Sequence, residues 1–329
     1  MSSKIFETEA MAVERLCQIK GDNFIAYRKR WDRANRFEEE TDFPLFLHIE
    51  ANNHCNFHCP MCTQGIPELK EKFGYRESLT TENILAILRE GQAYGCPSIS
   101  FQGDNEPFLI KEMSSWFKLA AGHGFQDIMV NTNGSIMNEQ LAEEIIESGL
   151  TRLRFSLDAV NEATYQKIRK GGTFAKTMQN IQLFLAKRRE LNSILPMVGV
   201  NFVKMKENEA EINDFIDYWN ERVDYIVIQD FMKPDTEGDY YSLSGVTQVS
   251  ETTDFSCNQP WQRLYIRGNG EVTPCCAQFS CYLKLGEYPQ STLKELWDCR
   301  PAKELRKLHA EGRYYKNPIC LKCSKSGGA

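Results

Sequence analysis

The sequence predicts an α/β protein: six parallel strands, built as a doubly wound sheet or a partial barrel, followed by a small cysteine-rich α+β unit. Three observations predict it. Six short β-rich runs alternate with helical stretches between residues 45 and 230, a polar, turn-rich segment breaks the pattern at 230–256, and cysteines crowd the last quarter of the chain. Strand–helix alternation implies parallel pairing through right-handed crossovers, and either architecture gathers its chemistry beyond the carboxyl ends of the strands. Periodicity does not choose between the two.

Residues 1–43 read as an amphipathic helical extension with Ala12, Val13, Leu16, Ile19 and Phe24 as its apolar positions. The change from Arg28, Lys29, Arg30, Arg33 and Arg36 to Glu38, Glu39 and Glu40 reads as a solvated face rather than a binding patch. Strands are expected at 45–50, 98–102, 127–131, 152–157, 195–203 and 225–229. Helices are expected at 81–94, 111–121, 138–148, 173–192 and 207–220. Asn138 suits an N-cap, Gly124 and Gly149 suit C-terminal stops, and Thr80 with Asn83 makes a poor capping box. The core then spans 44–230, a linker or active-site loop 231–256, and the second unit 257–329. In that unit WQRLYI and EVTPC flank Arg267-Gly268-Asn269-Gly270 as a hairpin, with a helix over 291–310.

The net charge of −6 lends no support to a nucleic-acid function. No apolar stretch approaches the roughly 18–20 residues a bilayer demands, and MSSKIFETEA lacks a signal-peptide pattern, so the expected location is cytoplasmic and off the membrane. Twelve cysteines in such a chain point to metal or cluster ligation rather than to disulfides. Cys17 and Cys96 stand apart and read as packing residues.

Cys55, Cys59 and Cys62 lie at i, i+4 and i+7 just after the first strand, in Cys55-Asn56-Phe57-His58-Cys59-Pro60-Met61-Cys62. Three thiolates on one loop can hold three irons of a [4Fe–4S] cube and leave the fourth open. Zinc would need a fourth protein ligand, and His54 or His58 would supply it only at cramped spacing. Phe57 and Met61 are expected to shield the cluster from water.

This CxxxCxxC loop at a strand end resembles the radical S-adenosylmethionine (radical SAM) superfamily, over roughly residues 45–230. The resemblance implies a partial (βα)6 TIM-type barrel, SAM chelated by the open iron, and a 5′-deoxyadenosyl radical that abstracts hydrogen from a substrate. It also implies cofactor-binding residues. Gly103, Asp104, Asn105 and Glu106 stand where the family has a Gly-Gly-Glu-Pro-like segment against the methionine amino group, Asp104 and Asn105 departing from its commonest form. Asn133 belongs to a Thr-Asn-Gly turn after strand three, and Ser156 and Asp158 resemble a polar pair near the ribose. Without the family, Asn133-Gly134 is a turn, Gly103 relieves a tight strand exit and Asp158 caps a helix.

Cys257, Cys275, Cys320 and Cys323, separated by 18, 45 and 3 positions, can close a zinc site or a fully ligated [4Fe–4S] cluster. Their surroundings, from Cys257-Asn258-Gln259-Pro260-Trp261 to Pro318-Ile319-Cys320-Leu321-Lys322-Cys323, resemble SPASM/twitch extensions of radical SAM enzymes. The layout is similar to the shorter twitch-like form of aminocyclitol dehydrogenases, which implies one auxiliary [4Fe–4S] cluster. Cys276 and Cys281 are the candidate catalytic residues, open between ligand, hydrogen-atom donor and structural roles. Cys276 should point away from the cluster if its backbone stays strand-like. Cys299 is placed on the helix before Pro301 in a structural role.

Two iron–sulfur sites suit a net oxidation of a sugar or aminocyclitol hydroxyl to a ketone. A base takes the hydroxyl proton and the auxiliary cluster takes the electron. Epimerisation with a cysteine hydrogen donor and peptide modification are the alternatives; a nonenzymatic electron carrier would not need an open iron. The base is not singled out among Asp230, Asp235, Glu237, Asp239, Tyr240 and Tyr241. Expected partners are a small-molecule substrate ahead of a peptide, a reducing protein such as flavodoxin or ferredoxin, and iron–sulfur assembly machinery. Arg300, Lys303, Arg306, Lys307, Arg313 and Lys316 read as a solvated helix face.

Overall fold

Each of the first five strands pairs in parallel with its successor, so the chain winds in one direction through six strands without reversing their order. A computed structural model, which describes residues 8–234 and 255–326, places these strands at β1 (Phe46–Glu50), β2 (Ser98–Phe101), β3 (Asp127–Thr132), β4 (Arg152–Ser156), β5 (Met197–Lys204) and β6 (Tyr225–Asp230). A doubly wound sheet would reverse its order at a switch point. This one does not, and β1 and β6 remain unpaired with each other, which makes a partial barrel. Beyond β1 the sheet continues into the cysteine-rich region. β7 (Arg263–Arg267) adds to β1 in parallel, from Phe46↔Arg263 to Glu50↔Arg267, and β8 (Glu271–Thr273) and β9 (Gly286–Glu287) follow antiparallel. The hairpin is thus present, and its first strand is welded to the core.

Alternation along the strands sorts the two faces. Leu47, Ile49, Ile99, Phe101, Ile128, Val130, Leu153, Phe155, Val198 and Val200 belong to the main apolar core. Their neighbours of opposite parity include His48, Glu50, Ser100, Asn131, Arg154, Ser156 and Asn201, which gives the inner face a polar lining. The helices are α1 (Thr8–Lys20), α2 (Asp22–Asn35), α3 (Pro67–Phe73), α4 (Thr81–Ala93), α5 (Met113–Gly122), α6 (Glu139–Ile146) and α7 (Glu162–Ile168). They continue with α8 (Phe174–Glu190), α9 (Ile212–Trp219), α10 (Gln259–Gln262), α11 (Leu293–Asp298), α12 (Arg300–Ala310) and α13 (Pro318–Lys325). Leu16, Phe24 and Tyr27 of the first two pack on Met197, Tyr225 and Val227. The N-terminal helices therefore cover the inner face low on β5 and β6, leaving the carboxyl ends for a site.

Several local expectations change. The N-terminal extension is two helices broken at Gly21, whose φ is 73°. The helix over 291–310 is likewise two, because Cys299 is extended between them and caps α12, with Pro301 in its first turn. Thr80 and Asn83 do form a capping box: Asn83 N–H donates to Thr80 Oγ1 at 3.2 Å and Thr80 N–H to Asn83 Oδ1 at 2.9 Å. An asparagine side chain reaches back as a glutamate does. Arg306 is buried rather than solvated; it stacks on Trp297 and donates to Glu40 Oε1 at 2.9 Å. Arg30 and Arg33 both pair with Glu39, so the charged N-terminal run neutralises itself. Among the described residues no helix is long and apolar enough to cross a membrane.

Candidate active site

The loop after β1 turns its three cysteines to one side. Cys62 N–H bonds Cys59 O at 3.0 Å, and Gly65 N–H bonds Cys62 O at 2.9 Å. A Cβ on Gly65 would lie 2.1 Å from Cys59 O, so a side chain there would prevent the loop from closing. Cys55, Cys59 and Cys62 line one cavity of about 350 Å³ together with Phe57 and Met61, while His54 and His58 are exposed. Burial pushes the Cys55 thiol up to about 11 and Cys62 well above its ordinary value. Thiols held neutral in this way give up their protons when a metal binds them.

The strand ends complete the cavity. Gly103, Asp104, Asn105, Glu106, Asn133 and Ser156 all line it, as do Asn131 and Thr132. Glu106 is fully buried and ties three loops together. Its carboxylate accepts from Thr132 Oγ1 at 2.6 Å and Asn133 N–H at 2.7 Å, and its own N–H donates to His54 O at 2.9 Å. Burial raises it to about 7. Asn133 Nδ2 donates to Asn56 Oδ1 at 2.9 Å and lies 3.9 Å from Cys55 Sγ. Gly103 is needed for close approach: a Cβ there would sit 2.2 Å from the Glu50 carboxylate and 2.5 Å from Tyr265 OH. Asp104 is driven up to about 6, first by burial and then by the charge of Glu50, which accepts its N–H at 2.6 Å.

Asp158 is not on that cavity wall. It is buried with φ 59°, accepts Val203 N–H at 2.8 Å and pairs with Arg169 at 2.5 Å. Arg169 lines the cavity in its place and lies 3.9 Å from Cys59 Sγ. The cap of α7 is Asn161. Arg169 stands in the stretch TYQKIRKGGTF, residues 164–174, which resembles the family region, yet no spacing singles it out; the positive φ of Asp158 is invisible without backbone coordinates.

Cys257, Cys275, Cys320 and Cys323, distant in sequence, line a second cavity of about 260 Å³. The last two are one turn apart on α13, whose cap, Asn317, accepts from Ile319 N–H and Cys320 N–H. Burial raises all four thiols, Cys320 and Cys323 to about 12. Among the described residues no three His, Cys, Asp or Glu side chains converge as on a single ion. The cysteines instead stand around cavities, a donor set that suits clusters held from several sides. Cys276 does not simply turn away from the second cavity: it lines both cavities, as does Met232. Its Sγ lies 3.4 Å from Gln259 Oε1. Cys281 lines neither and receives the Arg267 guanidinium at 3.0 Å.

Three wall residues escape sequence reading. His48, Tyr265 and Arg267 come from the β1–β7 seam, where His48 faces Tyr265 in register and Arg267 stacks on the Tyr265 ring. Glu50 anchors that seam, accepting from Tyr75 OH at 2.6 Å and from Tyr265 OH. Asp230 pairs with Lys204 at 3.3 Å and lines the second cavity. Asp235, Glu237, Asp239, Tyr240 and Tyr241 lie outside the described residues.

An open-sided cysteine loop under the carboxyl ends of a partial barrel, with a second cysteine-lined cavity beside it, defines an iron–sulfur radical enzyme. Residues 49–218, more than half of the chain, match the radical SAM superfamily, and the chain belongs to it. Residues 257–324 match the SPASM iron–sulfur cluster-binding domain. Among curated proteins it is similar to the probable GTP 3′,8-cyclase of Methanocaldococcus jannaschii, 27% identical over 212 residues covering 63% of this chain and 67% of that one. It is also similar to the GTP 3′,8-cyclase of Thermodesulfovibrio yellowstonii, 32% identical over 184 residues covering 55% and 53%. The chain thus spans about half to two thirds of the length of these relatives. Among solved structures it resembles BtrN in complex with AdoMet and 2-DOIA, with TM-score 0.55, 15% identity, and 86% and 94% of the two chains covered. It resembles anSMEcpe with bound AdoMet at TM-score 0.63 and 17% identity over 81% of each chain. Streptococcus suis SuiB bound to S-adenosylmethionine gives TM-score 0.57 and 16% identity, covering 88% and 74%. At such identities these structures speak for the fold alone.

Proposed function

We propose that this enzyme oxidises a secondary alcohol of a small polyhydroxylated ring, a sugar or aminocyclitol, to a ketone. Cys55, Cys59 and Cys62 would hold the SAM-binding [4Fe–4S] cluster, and Cys257, Cys275, Cys320 and Cys323 one auxiliary [4Fe–4S] cluster. The observation that carries this reading is the wall shared by the two cavities, formed by Cys276 and Met232. Reduced cluster and SAM, when bound, supply a 5′-deoxyadenosyl radical that takes one hydrogen atom from the substrate carbon. Loss of the hydroxyl proton and one further electron then leaves the ketone, so a base must face the first cavity and an electron acceptor must adjoin it.

His48 is the residue we place against the reacting hydroxyl. Its Nε2 lies 2.9 Å from Gln102 O; a carbonyl only accepts, so Nε2 carries the hydrogen and Nδ1 presents a lone pair. Nδ1 has no hydrogen-bond partner among the described residues, and the side chain lines the cavity. Burial and then Arg263 depress His48 to about 3, so it stays neutral: its Nδ1 is a hydrogen-bond acceptor that can orient a hydroxyl, and a stronger base has to take the proton. Gln102, Asn105, Asn131 and Gln278 add neutral polar groups to the same wall, which can hydrogen-bond the hydroxyls of a polyhydroxylated ring. The ring substrate class is taken by analogy from BtrN, whose fold this chain shares and whose structure holds AdoMet and 2-DOIA.

Cys276 favours a second reading, because a cavity-facing thiol outside the auxiliary ligand set can return a hydrogen atom and invert a carbinol carbon. The test is product analysis with Cys276→Ala on an aminocyclitol substrate panel. The dehydrogenase reading expects ketone from both wild type and variant. Inverted alcohol from the wild type, lost in the variant while SAM cleavage continues, would replace it with the epimerase.

A further inference from the structure

Close to the auxiliary cysteines stands a histidine that the proposed reaction does not use. His309, on α12 and 2% exposed, bridges two of the four cysteines. Its Nδ1 accepts the backbone N–H of Cys257 at 3.2 Å, and its Nε2 lies 3.4 Å from Cys320 Sγ. A ring nitrogen that accepts an N–H carries no hydrogen of its own. The geometry therefore excludes the imidazolium, in which both nitrogens donate, and fixes the tautomer with hydrogen on Nε2. That hydrogen faces Cys320 Sγ. Both ends of the contact are held: the His309 ring lies against Phe255 and Tyr314, and the Cys320 backbone N–H is capped by Asn317 Oδ1 at 3.1 Å.

We propose that His309 is a redox-tuning residue of the auxiliary centre, its Nε2–H donating to the sulfur of ligand Cys320. A hydrogen bond to a ligating thiolate draws charge from the sulfur and favours the more negative, reduced cluster, so the potential rises. An auxiliary cluster tuned upward is a better acceptor for the electron that the proposed oxidation releases. The inference rests on Cys257, Cys275, Cys320 and Cys323 being the auxiliary ligands.

The test compares full-length, anaerobically reconstituted wild type, His309→Phe and His309→Gln. Iron and sulfide are counted first, followed by redox titration monitored by electron paramagnetic resonance with and without SAM. The auxiliary signal is the one that SAM does not move. A phenylalanine keeps the ring packing and loses the donor. A glutamine can accept from Cys257 N–H and still donate to Cys320. The expected result for His309→Phe is a roughly tenfold loss in the one-electron reduction equilibrium of the auxiliary cluster, about 59 mV downward. His309→Gln should stay near wild type, and the SAM-sensitive cluster should be unchanged in both. A fully loaded His309→Phe with the wild-type auxiliary potential overturns the proposal. If His309→Phe loses its auxiliary iron, His309→Gln decides: a wild-type potential supports the proposal and a displaced one overturns it. Wild type holding about four irons, where two cubanes need about eight, overturns the ligand assignment itself, and the count alone tells that failure from the other.

Discussion

At the scale of single residues, the site depends on side chains whose environment is set by the sheet register. His48 is charge-neutral because it is buried beside Tyr265 of the neighbouring strand β7, near the Arg263 charge. Its folded value of about 3 lies below the roughly 6.5 of a free histidine, so the unfolded chain binds the extra proton first. The His48 contribution to stability is therefore present above about pH 6.5 and lost as pH falls toward 3. Urea midpoints of the metal-free protein should show wild type losing ground to His48→Gln across that window, and a pH-independent difference would contradict the assignment. Residues of this kind were hidden in the sequence. Cys55, Cys59 and Cys62 are legible because their spacing is local, whereas His48 is one histidine in a strand, and its partner Tyr265 is 217 positions away. The sequence does not distinguish Cys276 from Cys281 either; only the fold turns one into the cavity and ties the other to Arg267.

At the scale of elements, periodicity and capping chemistry carry most of the fold. All six core strands were expected within two residues of where they lie at either end, because buried β-branched and aromatic runs bounded by turns are a strong signal. The Thr80–Asn83 box is a smaller lesson. Thr80→Ala should lower stability by about 1 kcal/mol, read as a shift in the denaturation midpoint without a change in slope; no shift would mean that the box is formed but idle. Short helices such as α3, α7 and α13 lacked a long enough repeat to be seen. Cys299 and Gly21 broke continuous amphipathic patterns where backbone geometry, not hydrophobicity, sets the boundary. The pairing of β7 with β1 was also out of reach, since strand partners far apart in sequence leave no periodic trace.

For the whole molecule, the β1–β7 seam joins the two cysteine-bearing regions. By continuing the core sheet, β7 carries Tyr265 and Arg267 to the first cavity, while the segment after β8 brings Cys275 and Cys276 beside it. Glu50, Gly103 and Tyr265 meet closely at that junction: Tyr265 OH donates to Glu50, and a Cβ on Gly103 would collide with both. The superfamily was legible from one cysteine loop; the shared wall that argues for oxidation was not, because it is made by loops from both units. The most direct measurement is label transfer. An aminocyclitol deuterated at one carbinol carbon is turned over anaerobically with SAM and a low-potential reductant. The account predicts deuterium in 5′-deoxyadenosine, with one equivalent of methionine and of 5′-deoxyadenosine for each ketone formed. Ketone formed without label in 5′-deoxyadenosine, or label transfer that ends in an inverted alcohol, would contradict it.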